Sequence, residues 1–292
     1  MSVDCARRGV RTLPLMSVSA EGLGFMTWVW PVLRVLSGVI VGYVLLIFLI
    51  QRAVIYPGQF SDSPRSTSAP PEGVRQIWLD TDAGPVESWL IWNEERDPRA
   101  VVLFAHGNGE LIEDWLGAMR SLEDHGVAVL LVEYPGYGHS AGRPRRSTVG
   151  QAFVAAFDSI VAHLPAGTPV VGWGRSLGGG AISDLAGVRP LDALILQSTF
   201  TSAAAMARRV GAPGLLVRDR FDTEAAVAGF VGPILVMHGR RDEVIPFSHG
   251  VRLTEARAGI DFVELPCGHN DCGVSWSEIV RHVTRLLTRQ GW

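Results

Sequence analysis

The sequence contains no lysine: all 26 of its strongly basic residues are arginine, a compositional trait in keeping with a GC-rich coding genome. Against 29 Asp and Glu this leaves a formal net charge of −3. No long basic run stands out either, so the electrostatic footprint of a nucleic-acid binder is missing and no nucleic-acid partner is expected. Cysteine is scarce. Cys5, Cys267 and Cys272 are the whole complement, too few for a disulfide scaffold. No glycine-rich stretch ends in the Gly-Lys-Ser/Thr of a phosphate loop. There is no internal repeat, and the one biased segment is "SDSPRSTSAPPEG", Ser61 to Gly73, whose Ser and Pro content reads as a linker.

Charge is also missing from one long stretch near the N-terminus. In "WVWPVLRVLSGVIVGYVLLIFLIQR" no charged residue occurs from Val35 to Ile50, and the apolar run from Val29 crosses only Arg34. A bilayer-spanning helix needs about 20 such residues. Arg34 is near enough to the end to snorkel to the headgroups, and Trp28 and Trp30 suit an interface. A core helix is rarely apolar all round. A cleaved signal peptide would need a small-residue cleavage site after the run, where "QRAVIYPG" stands instead. The expectation is an uncleaved single-pass anchor. Arg7, Arg8, Arg11 and Arg34 precede or begin the span, against Arg52 and Arg65 soon after it. That balance places the N-terminus inside and the following domain outside the cytoplasm; a start at Met26 would nearly erase it.

The expected organisation is a tail over 1–28, an anchor over 29–51, a lead-in over 52–73 and a folded domain over 74–292. That domain opens with two β-rich runs around an Asp-Ala-Gly-Pro turn, "VRQIWLDTDAGPVESWLIW", which reads as an antiparallel hairpin. Then unbroken apolar runs recur: "AVVLFAHG", "VAVLLVEYPG", "PVVGWGRS", "ALILQS", "PILVMHG" and "DFVELP". Runs without alternation suit strands buried on both faces. Helix-length segments between them point to βαβ units, hence an α/β fold with a mostly parallel sheet and helices on both faces. Helices are expected over Glu113–His125, Thr148–Leu164, Leu177–Ala186, Thr201–Arg209 and Glu278–Arg289.

Ligands of open α/β sheets bind beyond the carboxyl ends of the strands. After "PVVGW" stands Gly174-Arg175-Ser176-Leu177-Gly178, a G-x-S-x-G between a strand and a helix. Such a turn exposes the serine hydroxyl, glycines at ±2 avoid clashes, and the Leu177 N–H at the helix start faces a developing oxyanion. The plain alternative is a glycine-rich turn without chemistry. After "PILVM" comes Asp242, placed to orient a histidine, with Asp222 and Glu243 as its nearest rivals. His238 closes a buried strand and reads as structural. After "DFVEL" comes "ELPCGHNDCGV", with His269 between Cys267 and Cys272. A zinc site there would take three ligands only by removing His269 from Ser176, so no metal is expected. The chain order is Ser176, Asp242, His269, an order that one fold in particular uses.

These residues and the stretches "IYPG", "FAHGNGE", "EYPGYGHSAGRP", "GWGRSLGGGAI", "QSTFTS", "VMHGRRDEVIPF" and "CGHND" resemble the α/β-hydrolases. Within them the chain resembles a small membrane-anchored group that includes protein depalmitoylases and many uncharacterised bacterial members. The resemblance runs from about Val54 to the C-terminus; Gln197 departs from it, standing where an acidic residue is expected. It implies a Ser176–His269–Asp242 triad, a second oxyanion donor at the Asn108 N–H, a structural role for His106 and no cofactor. The implied function is a membrane-anchored serine hydrolase acting on esters or thioesters, with a lipid or lipidated protein as partner. A serine peptidase and a non-catalytic binding protein of the same fold are the alternatives. About 35 residues separate "ALILQS" from "PILVMHG", enough for two helices and a minimal cap. Cys267 and Cys272 are either a disulfide clasp on the His269 loop or two free thiols.

Overall fold

The computed structural model describes residues 20–61, 69–93, 95–271 and 276–292. The chain forms two compact units, the first ending at Leu46 and the second running from Ile47 to Trp292. One helix, α1 (Ala20–Ile55), supplies the described part of the first unit and enters the second. Its portion Val29–Ile55 has a mean hydropathy of 2.5 and is long and apolar enough to cross a membrane. At about 1.5 Å per residue, it exceeds the roughly 30 Å hydrocarbon core.

The second unit is built on an eight-stranded sheet in the order β1-β2-β4-β3-β5-β6-β7-β8. The hairpin is β1 (Arg75–Leu79) and β2 (Val86–Ile91), paired antiparallel from Arg75 opposite Leu90 to Leu79 opposite Val86. β2 pairs antiparallel with β4 (Val127–Val132). The rest is parallel: β3 (Ala100–Ala105), β5 (Val170–Arg175), β6 (Ala193–Gln197), β7 (Ile234–Gly239) and β8 (Asp261–Leu265).

The unbroken apolar runs are explained by burial on both faces. In β3, Val101, Leu103 and Ala105 face one layer, made by α3 (Arg146–His163), α4 (Leu177–Ala186), α6 (Thr223–Gly229) and α7 (Phe247–Glu255). Ala100, Val102 and Phe104 face the other, made by α2 (Ile112–Met119) and α8 (Trp276–Arg289). Truncating a leucine such as Leu103 in this sandwich costs about 2–5 kcal/mol. The parallel strands all end on one edge: Arg175 lies opposite Gln197 and Gly239 opposite Leu265.

Three expectations change. The stretch expected as one helix over Glu113–His125 is α2 followed by a 3₁₀ turn over Arg120–His125, stopped by Gly126 at φ +73°. No range was expected for α6, although the stretch between "ALILQS" and "PILVMHG" left room for a second helix, and α7 was not expected at all. α6 has only 7 residues, two turns, and α7 buries only Gly250 and Leu253, so neither carries a full apolar stripe. Together with α5 (Ala203–Arg209), α6 makes up the small cap between β6 and β7. Finally, the lead-in expected over 52–73 is not uniform. α1 continues to Ile55, a 3₁₀ turn covers Pro57–Phe60, and Tyr56 is fully buried in the core of the second unit. A tyrosine there needs packing that a free linker does not provide.

Candidate active site

Ser176 sits between β5 and α4 at φ 53°, ψ −118°, a left-handed conformation that is strained for a residue with a Cβ. Its neighbours explain how the turn closes. A Cβ on Gly174 would lie 2.3 Å from the Gly178 carbonyl oxygen, and one on Gly178 would lie 2.0 Å from that of Ala105. Only glycine permits both approaches. The turn is held by the Ser176 N–H donating to Gln197 O (2.9 Å) and by Thr199 Oγ1 donating to Ser176 O (2.6 Å).

The hydroxyl of Ser176 lies 3.1 Å from His269 Nε2. The other ring nitrogen, Nδ1, lies 2.7 Å from Asp242 Oδ2. Asp242 Oδ1 accepts from the N–H groups of Val244 (3.0 Å) and Ile245 (2.7 Å). All three side chains are buried. Burial by itself would raise the Asp242 carboxyl, but hydrogen bonds from His238, His269 and the Ile245 N–H, with the charge of His269, more than offset it. The carboxyl is held well below the usual carboxylate range, so at neutral pH it is an acceptor that fixes Nδ1 as the protonated nitrogen.

The rivals of Asp242 are engaged elsewhere. Asp222 caps α6 by accepting from Ala225 N, and Glu243 accepts from the His269 N–H at 3.4 Å. His238 is buried, with Nε2 2.9 Å from Ile245 O and 3.5 Å from Asp242 Oδ2, so it braces the aspartate loop from behind. His106 is buried, with Nδ1 2.8 Å from Gly107 O and Nε2 2.8 Å from the buried carboxylate of Glu133. Glu133 also accepts from the Ile112 and Tyr134 N–H groups, tying the loop after β3 to the one after β4. Gln197 accepts from Trp173 Nε1 at 3.2 Å.

The N–H groups of Leu177 and Asn108 donate to no partner among the described residues. The Asn108 carbonyl is fixed from the other side: it accepts from the Gly58 N–H (3.2 Å) and from Tyr137 OH (2.7 Å). The "IYPG" stretch that follows α1 is therefore packed against the loop after β3. Cys267, next to the His269 loop, is disulfide-bonded. Cys272, its expected mate, lies outside the described residues.

Sequence reasoning missed two charged residues here. Arg175 is buried and forms an ion pair with Glu110. It also donates to His269 O (2.7 Å) and Asn270 Oδ1 (3.0 Å) and lies over the Trp115 ring. Glu110 Oε2 accepts from the Gly107 N–H (2.6 Å) and Trp115 Nε1 (2.9 Å). Desolvation pushes the Arg175 guanidinium down to about 10. One ion pair thus joins the loop after β3, the serine turn and the histidine loop. The signal was an arginine ending a buried strand, which requires a counter-charge.

Comparison with known proteins fits this architecture. Residues 96–221 match a family model described as serine aminopeptidase, S33. An uncharacterized protein of Mycobacterium tuberculosis is 30% identical over 252 residues, covering 82% of this chain and 88% of its own. The alpha/beta hydrolase domain-containing protein WAV2 of Arabidopsis thaliana is 29% identical over 276 residues, covering 83% of this chain and 89% of its own. Among solved structures, Est1E from Butyrivibrio proteoclasticus superposes with a TM-score of 0.61 at 18% identity, covering 74% of this chain and 98% of that one. An esterase of Pyrococcus furiosus gives a TM-score of 0.61 at 15% identity, covering 78% and 97%. By fold, by family model and by its relatives, the chain belongs to the α/β-hydrolase superfamily, and its chemistry is hydrolytic.

Proposed function

We propose that the chain is a membrane-anchored serine hydrolase that cleaves carboxylic ester or thioester bonds through an acyl-enzyme. The observation that carries this reading is the unbroken hydrogen-bonded line from the Ser176 hydroxyl through His269 to Asp242 at the carboxyl edge of the sheet. His269 Nε2 takes the Ser176 proton as the hydroxyl oxygen attacks the carbonyl carbon. Asp242 holds the tautomer and stabilises the imidazolium. The Leu177 and Asn108 N–H groups receive the oxyanion, a role worth about 10²–10³ in rate per donor. His269 then returns the proton to the leaving alkoxide or thiolate. Water, deprotonated by the same nitrogen, cleaves the acyl-enzyme.

The small cap supports substrates presented on something larger, because little chain is available to enclose a free long-chain lipid. Membrane anchoring rests on the apolar Val29–Ile55 helix. An extracytoplasmic catalytic domain agrees with the oxidised state of Cys267, since disulfides persist in oxidising compartments. In this reading residues 52–60 belong to the catalytic domain rather than to a linker. The second reading is a serine peptidase, favoured by the description of the matching family model.

The test is a substrate panel on the full-length protein: p-nitrophenyl esters of increasing chain length, acyl thioesters and aminoacyl anilides. Ester or thioester turnover that disappears in Ser176→Ala is the expected result. Turnover confined to the anilides would move the assignment to the peptidase. Turnover that survives Ser176→Ala would defeat both, and none at all from folded protein would favour a binding protein.

A further inference from the structure

We propose that the cap segment 210–220 is a membrane-docking surface that lies in the headgroup layer of an anionic bilayer, beside the point where α1 leaves it. This rests on the membrane-anchored reading above. Its basis is the depth at which the segment is held against the helix.

Gln51 Nε2 donates to Leu216 O at 3.3 Å, and Gln51 Oε1 accepts from the Arg218 N–H at 2.8 Å. Arg52 pairs with Asp219 at 2.9 Å. The Arg218 guanidinium lies 5.5 Å over the ring of Phe48. The segment is therefore pinned alongside residues 48–52 of α1, about 6 Å of helix axis at 1.5 Å per residue. The apolar run of α1 ends at Ile50 and its first charge after Arg34 is Arg52. Each interfacial layer of a bilayer is about 5–8 Å thick. A bilayer crossed by α1 up to Ile50 must then meet Leu216–Asp219 in its own headgroup layer.

The side chains of the segment suit that layer. Leu215 is 72% exposed, Val210 is 61% exposed and Val54, on the last turn of α1, is 63% exposed. Around them stand Arg208, Arg209, Arg218 and Arg220, none of which faces a carboxylate within ion-pair distance among the described residues. Arg220 is turned onto the carbonyls of Val217 and Leu215, and Arg209 onto those of Glu243 and Val244. Apolar tips flanked by unneutralised arginines match acyl chains beneath anionic phosphates, each cation near such a surface contributing about 1 kcal/mol, or about fivefold in binding. The Arg209 contacts also run from this surface to the residues after Asp242. An ester carried by a lipid or lipidated protein would thus reach Ser176 without leaving the surface.

The experiment uses full-length protein reconstituted into phosphatidylcholine vesicles with and without phosphatidylglycerol. A polarity-sensitive fluorophore is attached at Leu215→Cys, at Val39→Cys in the anchor, or at Val231→Cys, a 91% exposed position just before the amino end of β7; parent protein taken through the same labelling is the blank. The proposal expects the Leu215 label to be blue-shifted and quenched by brominated lipid. Arg218→Glu with Arg220→Glu should reverse this about tenfold or more in the anionic vesicles, with the Val231 label unaffected throughout. A Leu215 label that behaves like Val231 while Val39 stays buried would overturn the docking surface and leave the anchor standing. A blue shift without lipid quenching would also overturn it, assigning the face to a second copy of the chain. An unprotected Val39 label would remove the anchor, and the docking surface with it.

Discussion

Arg175→Met tests whether one buried ion pair holds three loops of the site in register. The side chain is 9% exposed and its mate Glu110 is 21% exposed. Replacing Arg175 leaves Glu110 with two donors, the Gly107 N–H and Trp115 Nε1, and removes the donors to His269 O and Asn270. Stranding one member of a buried pair costs about 3–5 kcal/mol. Solvent reaches Glu110, which lowers the figure to about 2–3 kcal/mol. At about 2–4 °C per kcal/mol for a domain of this size, Tm falls by about 5–10 °C. Because His269 and the Gly107–Asn108 loop lose their shared support, kcat should fall about 10–100-fold with KM little changed, as expected for misplacement of about 1 Å. Arg175→Lys should rescue poorly, since an ammonium cannot reproduce the planar fork. In the double variant Arg175→Met, Glu110→Gln no charge is stranded, so the losses should be less than additive by about 1–3 kcal/mol. Thermal unfolding and steady-state kinetics on wild type, Arg175→Met, Glu110→Gln and the double variant decide. Strict additivity, or a Tm within about 1 °C of wild type for Arg175→Met, would refute the reasoning.

Asp242→Asn should lower kcat by about 10⁴ by admitting the wrong His269 tautomer, whereas Glu243→Gln should leave kcat within about threefold, since Glu243 touches only the backbone of His269. The same aspartate sets an acid limb in stability. Its folded pKa is depressed, so its contribution is present above the unfolded value of about 3.9 and is lost as pH falls through the folded value. Urea unfolding curves of wild type and Asp242→Asn should separate at neutral pH and converge in strong acid. A gap independent of pH would count against the depressed carboxyl. Gly58→Ala puts a Cβ 2.2 Å from the Tyr137 ring and so disturbs both donors to the Asn108 carbonyl. Turnover should fall about tenfold or more while far-ultraviolet circular dichroism stays native.

Much of the fold could be read from the sequence because its strands are buried on both faces. "AVVLFA" and "VAVLLV" have no polar residue to mark a solvent side, and each became a six-residue strand with every position buried. Ser176, Asp242 and His269 stood out because each lies within a few residues of the end of such a run, and the sheet brings the three ends to one edge. The links between those ends were not legible. Arg175 meets Glu110 from 65 residues away, and no local pattern announces the pair. Tyr56 was hidden for a related reason. It lies just past the anchor in a stretch that looks like a lead-in, and only the tertiary fold supplies the cavity that buries it. The helix α6 has only 7 residues and α7 only 9, of which it buries just Gly250 and Leu253, so periodicity had little to register.

The most direct test of the central claim is to map a fluorophosphonate adduct. Full-length protein is treated with the probe, digested and sequenced by mass spectrometry. The phosphonyl group should sit on the peptide containing Ser176. It should be absent from Ser176→Ala and formed much more slowly by His269→Ala. A folded wild type that takes no label, or a label that persists in Ser176→Ala, would contradict the account.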